Sequence, residues 1–195
     1  MFKRIFDISV SVLGLLALSP FLILLSVAII IESKGGMFYL QTRVGRNNID
    51  FKLFKFRSMA IGSDKQGLLT VGNDSRITKV GYFIRKYKLD EFAQLLNVIK
   101  GDMSLVGPRP EVRKYVDLYS DEQLRVLDVK PGITDIASLE YFDENALLGK
   151  SDNPEKTYIE DIMPHKLSLN LHYIDNHSIT VDIKLILKTL IKVVN

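Results

Sequence analysis

The chain contains no cysteine. That excludes a disulfide framework, thiolate catalysis and a Cys-ligated zinc site. It also fits a chain that faces a reducing compartment. Charge of either sign is in small excess: 26 Lys+Arg stand against 23 Asp+Glu, a formal net charge of +3. An excess this small and dispersed leaves no electrostatic footprint for nucleic acid, and no nucleic-acid partner is expected. Walker A, Gly-x-Gly-x-x-Gly and Gly-x-Ser-x-Gly patterns are all missing. His165, His172 and His177 show no metal-ligand spacing. With 195 residues the chain falls short of the ~250 that a (β/α)₈ barrel needs. It has room for one domain and an appendage. A hydrophobic content of 47% rules out intrinsic disorder.

The aliphatic residues are unevenly spread. Ile8 to Ile31 carries no charge and reads ISVSVLGLLALSPFLILLSVAIII. As a straight helix it covers roughly 36 Å, enough to cross a ~30 Å hydrocarbon core. It is longer than the ~7–15 apolar residues of a signal peptide, and a soluble domain this small rarely hides a helix apolar on every face. Ser19-Pro20 sits in its middle. Proline removes a donor and crowds the carbonyl four residues back. Ser19 is placed to bond a freed carbonyl, which lipid will not do. A kinked spanning helix and a re-entrant helix-break-helix both fit. Lys3 and Arg4 before the run, and Lys34, Arg43, Arg46 and Lys52 after it, favour keeping both ends on the cytoplasmic side.

Gly35-Gly36 starts a different regime. Residues 37–59 alternate apolar and polar around Arg46-Asn47-Asn48, which predicts a short β-hairpin. Residues 60–75 read as loop. Helical spacing predicts helices over 76–87, 89–99, 111–128, 154–176 and 179–193, with Gly101 closing the second. Lys184, Lys188 and Lys192 form a narrow basic stripe on the last helix. An interfacial helix and a core helix with one solvated edge both fit that stripe.

Chemistry concentrates between Lys55 and Glu111. Asp90-Glu91 opens the predicted 89–99 helix. Two carboxylates there serve as caps and meet the positive end of the helix dipole. They are also surrounded in sequence by Lys55, Arg57, Arg85, Lys86 and Arg109. A carboxylate pair among cations suits a divalent metal and a phosphorylated substrate. An ionised Asp can itself attack phosphorus. Pro108 and Pro110 lock the backbone around Arg109, giving either a rigid turn or a guanidinium aimed at phosphate.

These residues resemble the bacterial sugar transferase family, in its small monotopic phosphoglycosyl transferase form. The likeness covers almost the whole chain. It runs through Lys3-Arg4-x-Phe6-Asp7, Ser19-Pro20, Arg43-Val44-Gly45 and Lys55-Phe56-Arg57-Ser58-Met59. It continues through Arg85 to Gln94, Gly101-Asp102-Met103-Ser104-Leu105-Val106-Gly107-Pro108-Arg109-Pro110-Glu111 and Lys130-Pro131-Gly132-Ile133-Thr134. The resemblance implies transfer of a phosphosugar from a UDP-sugar to polyprenol phosphate, with Mg²⁺ as cofactor and UMP as product, priming glycan synthesis. Asp90 matches the family's nucleophile, and Glu91 its partner on Mg²⁺, with Asp90 beside the ion. Lys55, Arg57, Arg85, Arg109 and Pro110 fall in substrate-binding motifs. Ser19 and Pro20 match the break of a re-entrant membrane helix.

The expected fold is α+β and mainly helical. It comprises a re-entrant helix-break-helix over 1–34 and a compact cytoplasmic-side catalytic domain over 35–195. The latter has a short β-hairpin and interfacial amphipathic helices. Expected partners are the UDP-sugar, polyprenol phosphate and membrane lipids, with a homodimer left open. The expected location is the bacterial inner membrane, catalytic domain toward the cytoplasm. Some positions depart from the family pattern. Ala93 stands where proline is usual, Lys88 where Ser is common, and Asn48 where Gly is frequent. Asp135-Ile136-Ala137-Ser138 replaces Gly-x-Ala-Gln. The rival functions are a transferase that moves only the sugar, releasing UDP, and a non-catalytic membrane scaffold.

Overall fold

A computed structural model describes residues 2–63 and 74–194. It begins with α1 (Phe2–Glu32), a helix long and apolar enough to cross a membrane. The break expected at Ser19-Pro20 is not a break between two helices. α1 continues through Pro20, because Ser19 Oγ donates to Leu16 O at 2.8 Å. Leu16 O is the carbonyl that an N–H at position 20 would have engaged.

One face of α1 is covered. Phe6, Val10 and Leu15 pack against a cluster containing Leu95, Val98 and Met103. Leu22, Leu25 and Ile29 are buried with Phe56, Ile84 and Ala93. The opposite face leaves Leu13, Leu16, Ile23, Leu24, Ile30 and Ile31 exposed.

Both ends of α1 are tied down by polar contacts. At the start, Lys3 Nζ pairs with Asp182 at 2.5 Å. Arg4 donates to Val98 O at 2.6 Å and Ile99 O at 3.1 Å. Buried Asp7 accepts from Ser104 Oγ at 2.8 Å. At the end, the Arg57 guanidinium donates to Ser33 O at 2.7 Å, Lys34 O at 2.8 Å and Ile29 O at 3.3 Å. The last carbonyls of a helix have no partner within it, and Arg57 supplies one. Glu32 accepts from Val80 N.

The predicted hairpin is present. β1 (Phe38–Val44) pairs antiparallel with β2 (Asp50–Phe56), Tyr39 opposite Lys55 and Val44 opposite Asp50. The turn between them needs left-handed backbone at Asn47 (φ 58°) and Asn48 (φ 61°). Asn tolerates that conformation better than most residues. The loop expected at 60–75 falls largely outside the described residues. α2 (Lys79–Lys86) starts at a Thr78 cap, whose Oγ1 accepts from Gly81 N at 2.9 Å.

The helix expected over 89–99 divides. Leu89–Gln94 is a 3₁₀ turn, and α3 (Leu95–Lys100) follows, closed by Gly101 at φ 104°. Leu89 and Phe92 both pack on the same cluster. Three-residue spacing eclipses in a 3₁₀ helix, so anchoring both residues favours the tighter winding. Fully buried Asn97 joins α3 to β2, accepting from Phe54 N at 2.9 Å and donating to Lys52 O at 2.8 Å.

A parallel pair that the sequence pattern does not announce comes next. β3 (Ser104–Val106) lies beside β4 (Gly132–Thr134). A Cβ on Gly132 would lie 2.1 Å from Gly107 N, so the strands approach at this point only with glycine. Between them, the helix expected over 111–128 is interrupted. α4 (Arg113–Val116) stops, and α5 (Asp121–Leu124) restarts on a Ser120–Gln123 capping box. A 3₁₀ turn then covers Arg125–Asp128.

α6 (Ile136–Glu140) and α7 (Glu144–Leu148) follow. The predicted 154–176 helix is realised as α8 (Pro154–Thr157), a π-helical stretch at Tyr158–Ile162 and α9 (Met163–Asn176). These pack Tyr158, Ile162, Met163 and Leu167 against Val112 and Tyr115. α10 (Ile179–Val194) closes the chain. Buried Leu185 faces the core, while Ile183, Leu187, Leu190 and Ile191 stay exposed.

Candidate active site

Four elements converge on one cavity of about 610 Å³. Lys55 enters from β2, Arg85 from the end of α2, Asp90 and Glu91 from the 3₁₀ turn, and Arg109-Pro110 from the loop after β3. Residues distant in sequence, each singled out by type, thus line one wall. Arg57 lines the cavity too, but its guanidinium donates to α1 carbonyls as described above.

Local backbone explains the presentation of the dyad. Lys88 is left-handed (φ 51°) and has no side-chain cap to offer. The chain therefore turns sharply after α2 and enters the 3₁₀ turn with Asp90 and Glu91 on its first winding. Ala93 is buried in the cluster that contains Leu22, Leu25 and Ile29 of α1.

Glu91 and Arg109 form a fork. Arg109 Nη2 lies 2.5 Å from Glu91 Oε1, and Nη1 lies 3.1 Å from Oε2. Two parallel bonds fix both planes. Burial would raise the Glu91 pKa, but the Arg109 charge and hydrogen bonds outweigh it, and Glu91 is held below the usual carboxylate range. Arg109 is correspondingly pushed up, first by Glu91.

Asp90 behaves in the opposite way. Burial, with Glu91 nearby, raises its pKa above the ordinary value, against the pull of Lys55, Arg85 and Arg109. Burial also lowers Lys55 to about 8, with Arg43 and Arg109 adding to the effect and Asp90 opposing it. Two adjacent carboxylates are therefore split: one firmly ionised and paired, the other without a hydrogen bond or ion pair among the described residues and coupled to an ammonium of lowered pKa. Divergent environments for neighbouring titratable groups are a mark of functional sites.

Two supports of this geometry, Asp135 and Tyr158, carry no catalytic signal in the sequence. Asp135 is fully buried. Its carboxylate accepts from Arg109 N at 3.1 Å and from Ser138 N at 2.5 Å. It caps α6 and holds the Arg109 backbone at once. An Asp three residues before Ser138 is a legible N-cap signal; its second partner is visible only in three dimensions. Glu111 accepts from Arg43 Nη1 at 2.9 Å, Val112 N at 2.7 Å and the Tyr158 hydroxyl. Burial and Glu111 hold the Tyr158 hydroxyl well above the usual phenol range, so it stays a donor.

The carboxylate pair sets the limits of metal binding. Among the described residues no group of three or more His, Cys, Asp or Glu is arranged for a metal. Both Glu91 oxygens already accept from Arg109, leaving each with lone pairs to spare. Mg²⁺ is commonly held by one or two carboxylates, with phosphate oxygens and water completing an octahedron. Asp90 and Glu91 fit an ion held in that way.

Several proteins are similar to nearly the whole of this chain. A UDP-N-acetylgalactosamine-undecaprenyl-phosphate N-acetylgalactosaminephosphotransferase of Aeromonas hydrophila is 37% identical over 193 residues, which is 96% of this chain and 42% of that protein. An uncharacterized sugar transferase, EpsL, of Bacillus subtilis (strain 168) is 38% identical over 98% of this chain and 86% of its own length. A UDP-glucose:undecaprenyl-phosphate glucose-1-phosphate transferase of Escherichia coli (strain K12) is 38% identical over 97% of this chain and 39% of its own. The chain thus spans about two fifths of the first and third of these proteins and most of the second. Residues 1–195 match the bacterial sugar transferase family, and the chain belongs to that family.

Proposed function

We propose that the protein is a Mg²⁺-dependent phosphoglycosyl transferase that moves a phosphosugar from a UDP-sugar to polyprenol phosphate. The observation that carries this reading is the split dyad. Asp90 makes no bond to Arg109, while Glu91 is committed to it, and both share a cavity with Lys55 and Arg85.

The chemistry follows from those placements. Arg109, Arg85 and Lys55 hold the donor's diphosphate and offset its charge, so that a carboxylate can approach phosphorus. An Asp90 carboxylate oxygen attacks the phosphorus that bears the sugar. The bond from that phosphorus to the bridging oxygen breaks, and UMP leaves with the electron pair. The polyprenol phosphate oxygen then attacks the same phosphorus. Its bond to Asp90 breaks, the carboxylate is restored and polyprenol diphosphate sugar forms. Glu91 and Asp90 would hold Mg²⁺, which supplies charge neutralisation at the diphosphate when bound. The relatives named for undecaprenyl-phosphate sugar-phosphate transfer support the reaction class.

The same reading places α1 as a re-entrant element in the inner membrane of a bacterium, catalytic side to the cytoplasm. Its two ends both bond to the globular part, through Lys3, Arg4 and Asp7 at one end and Ser33, Lys34 and Glu32 at the other. An acceptor's phosphate lies at the interface, and a cavity pinned there meets it without extracting the lipid.

Nucleotide release from a panel of UDP-sugars tests the reading. Asp90→Asn should abolish UMP release while the protein stays folded and membrane-bound. UMP release at the wild-type rate in that variant, or UDP as the product, removes the assignment.

A further inference from the structure

Two lysines that the proposed chemistry leaves unused meet at one ring. Lys88 Nζ lies 4.9 Å from the centroid of Phe142, and Lys192 Nζ lies 5.2 Å from the same centroid. Lys88 and Phe142 line the cavity that holds the dyad. Lys192 comes from the far end of the chain, in the last turn of α10. That end of α10 is held against the cavity wall by Lys192 Nζ bonding Leu139 O at 2.7 Å and by a Thr189–Thr134 hydroxyl bond of 2.6 Å.

Neither ammonium forms an ion pair among the described residues, whereas Arg109 and Lys166 do. Among the described residues Lys88 donates to the Phe142 carbonyl alone, at a long 3.5 Å, and its charge adds to those holding Glu91 ionised. Each ammonium has three donors, so most of them lack a protein acceptor. Two like charges held at one ring are unfavourable on their own and become favourable with an anion bound nearby. α10 also exposes Ile183, Leu187, Leu190 and Ile191. Asp90 and Glu91 line the same cavity as Lys88 and Phe142.

We infer that Lys88, Lys192 and the Phe142 ring form a site for the phosphomonoester headgroup of an isoprenoid phosphate acceptor, whose tail lies over the exposed face of α10. The inference rests on the transferase reading. A phosphomonoester carries about −1.5 to −2 at neutral pH and three acceptor oxygens, which suits two ammonium groups. A phosphodiester lipid headgroup offers less charge.

The test is binding of farnesyl phosphate to the full-length protein in detergent micelles, with farnesol, inorganic phosphate, UDP and phosphatidylglycerol as separate arms. Lys88→Asn removes the charge and tolerates the left-handed backbone; Lys192→Gln removes the other, and Lys192→Arg keeps it. Each charge-removing variant should weaken farnesyl phosphate about tenfold, the loss expected for one charge-assisted contact. Lys192→Arg should stay near wild type, and farnesol should bind all forms alike. Farnesyl phosphate affinity within twofold of wild type in both charge-removing variants overturns the site. So does equal competition by phosphatidylglycerol or inorganic phosphate, or a loss confined to UDP. Lysine-dependent binding without UMP release from any UDP-sugar keeps the site and removes the transferase reading. UMP release with lysine-independent binding does the reverse.

Discussion

Lys55 and Asp90 each oppose the other's departure from its ordinary pKa, and burial drives both departures. The signs give a pH profile. A nucleophilic Asp90 must be deprotonated, so kcat/KM should climb as pH rises through a pKa above the usual ~3.9 of Asp. A phosphate-holding Lys55 must be protonated, so kcat/KM should fall as pH passes about 8. Lys55→Arg keeps its charge through that range. Its alkaline limb should move up by more than one pH unit, measured as kcat/KM for the donor; an unmoved limb near pH 8 would take Lys55 out of the account. Lys55, Arg85, Asp90, Glu91 and Arg109 stand out in the sequence because charge of that kind clusters there, and they share one cavity. Asp135 and Tyr158 do not stand out. One resembles an ordinary helix cap and the other an apolar-periodic aromatic, and their partners Arg109 and Glu111 lie 26 and 47 residues away.

At the scale of elements, legibility depends on how local the determinants are. The β1–β2 hairpin follows from period-two alternation and an Asn-Asn turn, all within 19 residues of chain. The β3–β4 pair has three residues a side, and only tertiary approach at Gly107 and Gly132 defines it. The change of winding at Leu95 and the interruption at Ser120 likewise come from packing and capping that apolar spacing does not reveal. Arg57 is a further example, a motif residue whose guanidinium closes α1. Arg57→Ala would take the donor from the part-buried carbonyls of Ser33 and Lys34, at a cost of about 2 kcal/mol. A detergent-phase thermal melt should register it as a clear fall in midpoint. A melt indistinguishable from wild type would show that water replaces the guanidinium without loss.

For the whole molecule, the position of α1 is the main consequence. Its ends are fastened to the same body by unrelated contacts, Lys3–Asp182 and Arg4–Val98 at one end, Arg57–Ser33 and Glu32–Val80 at the other. Hydropathy alone allows a spanning or a re-entrant helix; these long-range bonds favour the latter. A cysteine introduced at residue 2 should be labelled only by reagents reaching the cytoplasmic face of intact cells. Labelling from the outside would make α1 a single-pass span.

The most direct measurement is intact-mass analysis of the full-length protein mixed with a UDP-sugar donor and Mg²⁺ in the absence of lipid acceptor. The account predicts stoichiometric UMP and a protein heavier by one sugar phosphate, the adduct mapping to Asp90 and discharging when polyprenol phosphate is added. Turnover that requires the lipid from the outset, releases UDP and leaves the protein's mass unchanged would contradict it.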